Sequence, residues 1–86
     1  MARLKHELWV DPAGLGTFCL AGPDGAAARA DLPPGGRLVW TVEAGSHFEA
    51  MTRYYEHMDW GRYSSPHEAD REPYPEHWLA RQVSGR

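Results

Sequence analysis

The chain has 86 residues and a mass of 9.7 kDa, which gives room for one hydrophobic core and not two. Apolar residues at 42% and charged residues at 24% exclude a membrane-embedded chain and a low-hydrophobicity disordered one. The formal net charge of −3 argues against sequence-independent nucleic-acid binding, which needs several cations to displace counterions from phosphate.

The charge is unevenly placed. Residues 1–40 balance Arg3, Lys5, Arg29 and Arg37 against Glu7, Asp11, Asp24 and Asp31, so the acidic excess lies in the second half. A single cysteine, Cys19, rules out an intramolecular disulfide, on which small secreted domains usually rely. The opening residues do not read as a signal peptide, and no apolar run approaches the roughly 20 residues of a membrane span. A soluble, cytoplasmic, bacterial-type domain is expected.

His6–Asp11 alternates weakly and reads as a strand, with Leu8 and Val10 on one face and Glu7, Trp9 and Asp11 on the other. Asp11-Pro12-Ala13-Gly14-Leu15-Gly16 supplies turn chemistry, and Thr17–Ala21 follows as a second strand. So short a link favours an antiparallel hairpin. Gly22–Gly25 breaks that strand. Ala26–Leu32 is alanine-rich and helix-prone, Asp24 is placed to cap it, and Pro33-Pro34-Gly35-Gly36 forbids its continuation.

Arg37–Glu43 is the strongest strand, rich in β-branched and aromatic residues, with Leu38, Trp40 and Val42 on one face. Ser46 followed by Glu49 fits a capping box and predicts a helix from about 47 to 59. At about 100° per residue, Phe48, Met51, Tyr54, Tyr55 and Met58 share a stripe expected to lie on the sheet, and Gly61 is expected to end the helix. Residues 61–73 show no periodicity. Residues 75–82 predict a last short helix with Pro75 in its first turn, docked by Trp78 and Leu79.

The order β-β-α-β-α predicts an α+β fold. Its small three-stranded mixed sheet carries a helix packed on one face and an irregular C-terminal extension. Residues 1–60 form the compact part, and residues 61–86 form an extension of the same single domain. A right-handed crossover through the first helix places strand three parallel to strand two and beside strand one. A three-stranded sheet leaves two edges, and pairing of one across a two-fold axis predicts a homodimer.

Chemistry-bearing groups collect after strand three. Glu43 ends the strand, and Ser46 and His47 open a helix whose positive dipole end favours an anion. Glu43, Ser46 and His47 are therefore the candidate ligand-binding residues, for a small anionic or polar molecule. His47 and Glu43 are the candidate catalytic pair, a general base and its orienting carboxylate. The competing explanation is structural, because Ser46 is fully accounted for as a cap.

His47, His57, His67 and His77 recur every ten residues. Ten helical residues leave His47 and His57 about 80° and about 15 Å apart, so they cannot share an ion, and no metal site or cofactor is expected. Cys19 lacks a neighbouring base in the sequence and reads as a small hydrophobe. Ten aromatic residues exceed what so small a core encloses. Either they pin the C-terminal extension or they form a partner surface. The preferred reading is a binding or interaction domain. The alternative is a small hydrolase or isomerase using His47.

Overall fold

A computed structural model describes residues 2–84. The strands are β1 (Leu4–Val10), β2 (Gly16–Leu20) and β3 (Arg37–Ala44). A 3-10 turn at Pro23–Gly25 leads into α1 (Ala26–Ala30). α2 spans His47–Met58, a second 3-10 turn spans Glu68–Arg71, and α3 spans Glu76–Ser84.

The fold is α+β, with the strands in the order β2-β1-β3. β3 lies beside β1 and points the same way as β2, as the crossover argument requires. Because β1 separates them, β2 and β3 never pair, and both neighbouring pairs are antiparallel. The sheet is thus antiparallel throughout rather than mixed.

Leu4, His6 and Leu8 are buried on one face of β1, while Lys5, Glu7 and Trp9 alternate onto the other. The expected face of β3 breaks at a bulge. Trp40 stands opposite Leu8, but Leu38 stands opposite Trp9, so the inserted residue interrupts the two-residue period. Leu38 and Val39 are left exposed as a result.

α2 lies across the inner face. Tyr54 stacks on Phe18 of β2 at 4.4 Å between ring centroids, and His57 stacks on Trp40 of β3 at 4.0 Å. Ala50 and Tyr54 are its buried residues. Phe48 and Tyr55, predicted to face the sheet, instead meet Tyr63 edge-on at 5.4 and 5.2 Å. The apolar stripe is wide enough to touch both the sheet and the returning chain.

The capping box forms with one change. Glu49 N–H donates to Ser46 Oγ (3.1 Å), and the Glu49 carboxylate accepts from Gly45 N–H (2.7 Å) rather than from Ser46. At the other end the cap is Asp59, in the left-handed conformation with φ 58°, two residues ahead of the expected Gly61. Asp59 N–H donates to Glu56 O there.

α1 departs from expectation in length and cap. It stops at Ala30, and Asp24 makes no capping bond. Asp24 instead takes a two-pronged ion pair from Arg81 of α3, at 2.9 and 3.0 Å. Arg29 donates to the carbonyl oxygens of Leu20 (2.8 Å) and Gly22, and lies 3.4 Å from Glu7. It ties the exit of β2 to the outer face of the sheet.

α3 is fastened by Gln82. Its amide accepts from Lys5 N–H (2.9 Å) and donates to Lys5 O (2.9 Å) and Ala21 O (3.0 Å), filling the place of a strand residue where the β1–β2 ladder ends. Gln82→Ala strips three partners at once. It is expected to cost about 1–3 kcal/mol, read as a lower urea midpoint with an unchanged slope. Loss of less than a few tenths would show that water substitutes freely there.

Trp60, Tyr63, Tyr74 and Trp78 do pin the extension. Trp60 meets Tyr54 and Tyr55, Tyr63 meets Phe48 and Tyr55, and Tyr74 meets His6 and Trp78. Arg71 sits 4.3 Å over the Phe48 ring. Tyr74 N–H donates to Gly45 O (2.8 Å), joining the extension to the start of α2. No helix among the described residues is long and apolar enough to cross a membrane.

Candidate functional site

Folding the extension back over the sheet encloses a cavity of about 600 Å³. His6, Phe18 and Leu20 form its floor on the inner face of the sheet. His47 and Met51 of α2 form one wall. Ala28 of α1 and Trp78 of α3 stand elsewhere on the lining, with Tyr74 beside His6. β1, β2 and all three helices contribute to the lining, and β3 does not.

The central feature is a buried pair. His6 Nδ1 is 3.0 Å from Leu4 O, and Nε2 is 2.9 Å from Tyr74 Oη. A carbonyl only accepts, so Nδ1 carries the proton. Nε2 of the neutral ring then accepts from the Tyr74 hydroxyl. Burial pushes the His6 imidazole below its ordinary pKa, outweighing the backbone hydrogen bonds that oppose it. Burial, reinforced by the Glu49 carboxylate, pushes the Tyr74 phenol up to about 12. Both groups are therefore uncharged at neutral pH. Phe18 stacks on the other side of His6 at 5.5 Å.

The three residues singled out by sequence separate. His47 lines the large cavity, while Ser46 lines a smaller one of about 230 Å³ with Arg3, Glu49 and Arg71. Glu43 lines neither. Its register partner is Lys5, which places it on the outer face of the sheet. His47 makes no hydrogen bond to Glu43. Asp70 lies within electrostatic reach of His47, and its carboxyl is held below the ordinary range first by the Ser65 hydroxyl and then by His47 and His67. At the start of α2, the place an anion would take is occupied by the protein's own Glu49, whose carboxyl is lowered chiefly by its bond from Gly45 N–H.

The chain matches no protein-family model, and neither curated proteins nor solved structures give a significant match.

Cys19 is half-buried, and burial pushes its thiol up despite the neighbouring Arg29. It is held as the thiol rather than the nucleophilic thiolate. Among the described residues, no group of three or more His, Cys, Asp or Glu is placed to hold a metal ion. His57 is spent on Trp40, and His77 meets Trp78 edge-on.

His6 and Tyr74 escaped the sequence reading. One lies in a weak strand and the other between the aperiodic stretch and the last predicted helix, 68 residues apart. The available signal was a histidine two residues before Leu8, in phase with the buried face. Alternation alone would have placed it inside, where it must find partners.

Proposed function

We propose that the chain is a binding domain that holds one small, largely apolar molecule in the cavity over His6. The observation that supports this reading is the cavity itself. Its volume of about 600 Å³ falls in the range usual for small-molecule sites. Aromatic and aliphatic walls surround the oriented His6–Tyr74 pair, the arrangement that gives burial and orientation together. The alternative of an acid–base enzyme built on His47 draws less support, because Glu43 does not orient it.

Indole, a neutral planar probe, is expected to cause saturable shifts in an NMR titration, concentrated at His6, Phe18, Met51, Tyr74 and Trp78. Ala28→Trp, which projects a large ring from the cavity lining, is expected to abolish them. Ala27→Trp, at an exposed site on the same helix, is expected to leave them intact. Shifts scattered over the surface, or equal in both variants, would refute the reading.

We further propose that two copies pair along β3. It is an edge strand of eight residues, and the bulge leaves Leu38 and Val39 exposed beside it. Sedimentation equilibrium at high micromolar concentration is expected to give twice the chain mass. Val39→Lys is expected to return it to the single-chain value. A single-chain mass for the parent protein would dispose of this pairing.

A further inference from the structure

We propose that the cavity selects an organic ammonium, an amine protonated at neutral pH and carried on an aromatic or apolar body. This rests on the reading of the cavity as a small-molecule site and names the chemistry it admits.

Three observations converge. The first is the charge of the lining, whose residues include Asp24 and Glu72 but no lysine or arginine. Asp24 is already paired with Arg81, whereas Glu72 has no ion-pair partner among the described residues.

The second is the orientation of the Tyr74 hydroxyl. Its proton is committed to His6 Nε2, so the oxygen offers lone pairs, and a ligand meeting it must donate. The neutral state of His6 keeps a positive charge off the floor, where it would repel a cation.

The third is the wall. Tyr74 and Trp78 are tilted against each other at 5.7 Å, and Arg81 already stands 5.9 Å from the centre of the Trp78 ring, so this wall accepts a cation. Aromatic faces carry a negative quadrupole, which attracts an ammonium and gives a carboxylate nothing. An anion entering here would meet the acidic Glu72 and the acceptor oxygen of Tyr74.

Three probes of one shape separate the possibilities: tryptamine, 3-ethylindole and indole-3-propionate, titrated into the intact chain at neutral pH and followed by NMR. Tryptamine is expected to bind at least tenfold more tightly than the acid, with 3-ethylindole between them and all shifts at the cavity residues. Glu72→Gln, on the exposed rim, is expected to keep the parent spectrum and cut the amine-over-acid ratio several-fold. Tyr74→Phe, checked for folding in the same spectra, is expected to weaken tryptamine more than 3-ethylindole. Binding of the acid as tightly as the amine, or a ratio untouched by Glu72→Gln, would overturn the ammonium assignment while leaving the cavity a binding site. Failure of all three probes to perturb the cavity would overturn the binding reading and this inference with it.

Discussion

Gly25→Ala is expected to destabilise the domain by about 3 kcal/mol or more, enough to unfold much of the population at physiological temperature. A Cβ at this position would lie 1.8 Å from Leu20 O and 2.9 Å from Leu20 C. The obstacle is backbone at the end of β2 and cannot rotate away as a side chain would. Relief requires the 3-10 turn to separate from the strand. That movement would break the Arg29 bonds to Leu20 O and Gly22 O and pull Asp24 from Arg81. The contrast is Gly14→Ala. There a Cβ meets nothing within 4 Å, and the cost is the strain of φ +89°, about 1 kcal/mol. Urea denaturation of both variants reads the difference, and equal losses would show that the turn yields.

The second large effect is a dependence of stability on pH centred on His6. Its folded pKa lies below the ordinary 6.5, chiefly through burial. The unfolded chain therefore takes up a proton that the native ring refuses. Stability is full above pH 6.5 and falls as pH drops from there toward the folded pKa, with a slope approaching 1.4 kcal/mol per unit. Below the folded value the native ring also protonates, and the loss levels off. Tyr74, His47 and Glu49 are the titratable groups that act on His6. His47 disfavours the charged form of His6, and Glu49 favours it. Glu49's own lowered carboxyl contributes in a separate window, with stability present above 4.5 and lost as pH falls below it. Thermal melts from pH 7.5 to 5 are expected to show a falling Tm in the parent chain. His6→Gln, which still donates to Leu4 O, is expected to flatten the curve. A slope unchanged in that variant would place the effect elsewhere.

The elements that were legible in the sequence share one property, a strong local signal. Ser46 and Glu49 announce the start of α2 because capping is settled within four residues. β3 is plain because its β-branched and aromatic run has no breaker. The bulge at Leu38–Trp40 was not legible, because pairing with β1 decides it and Arg37–Glu43 alternates cleanly when read alone. Asp24 has the composition of a cap, but the ion pair with Arg81 lies 57 residues away in sequence and outcompetes it.

The same division separates the sites. His47 was found because it sits at a junction rich in local signals, and the structure does bring it to the cavity. Glu43 was grouped with it by sequence proximity. Strand alternation sends Glu43 to the outer face, away from the helix that begins only four residues later. His6 and Tyr74 lie at opposite ends of the chain, where spacing carries no information about contact.

The amide hook of Gln82 on Lys5 has a consequence for synthesis. β1 carries peptide groups at Lys5 that are met by Gln82, 77 residues later in the chain. A nascent chain stalled before residue 82 would hold β1, β2 and β3 with one end of the ladder open to water and to other strands. Contacts of such long sequence separation form late, so the closing of α3 is expected to be the slow, committing step.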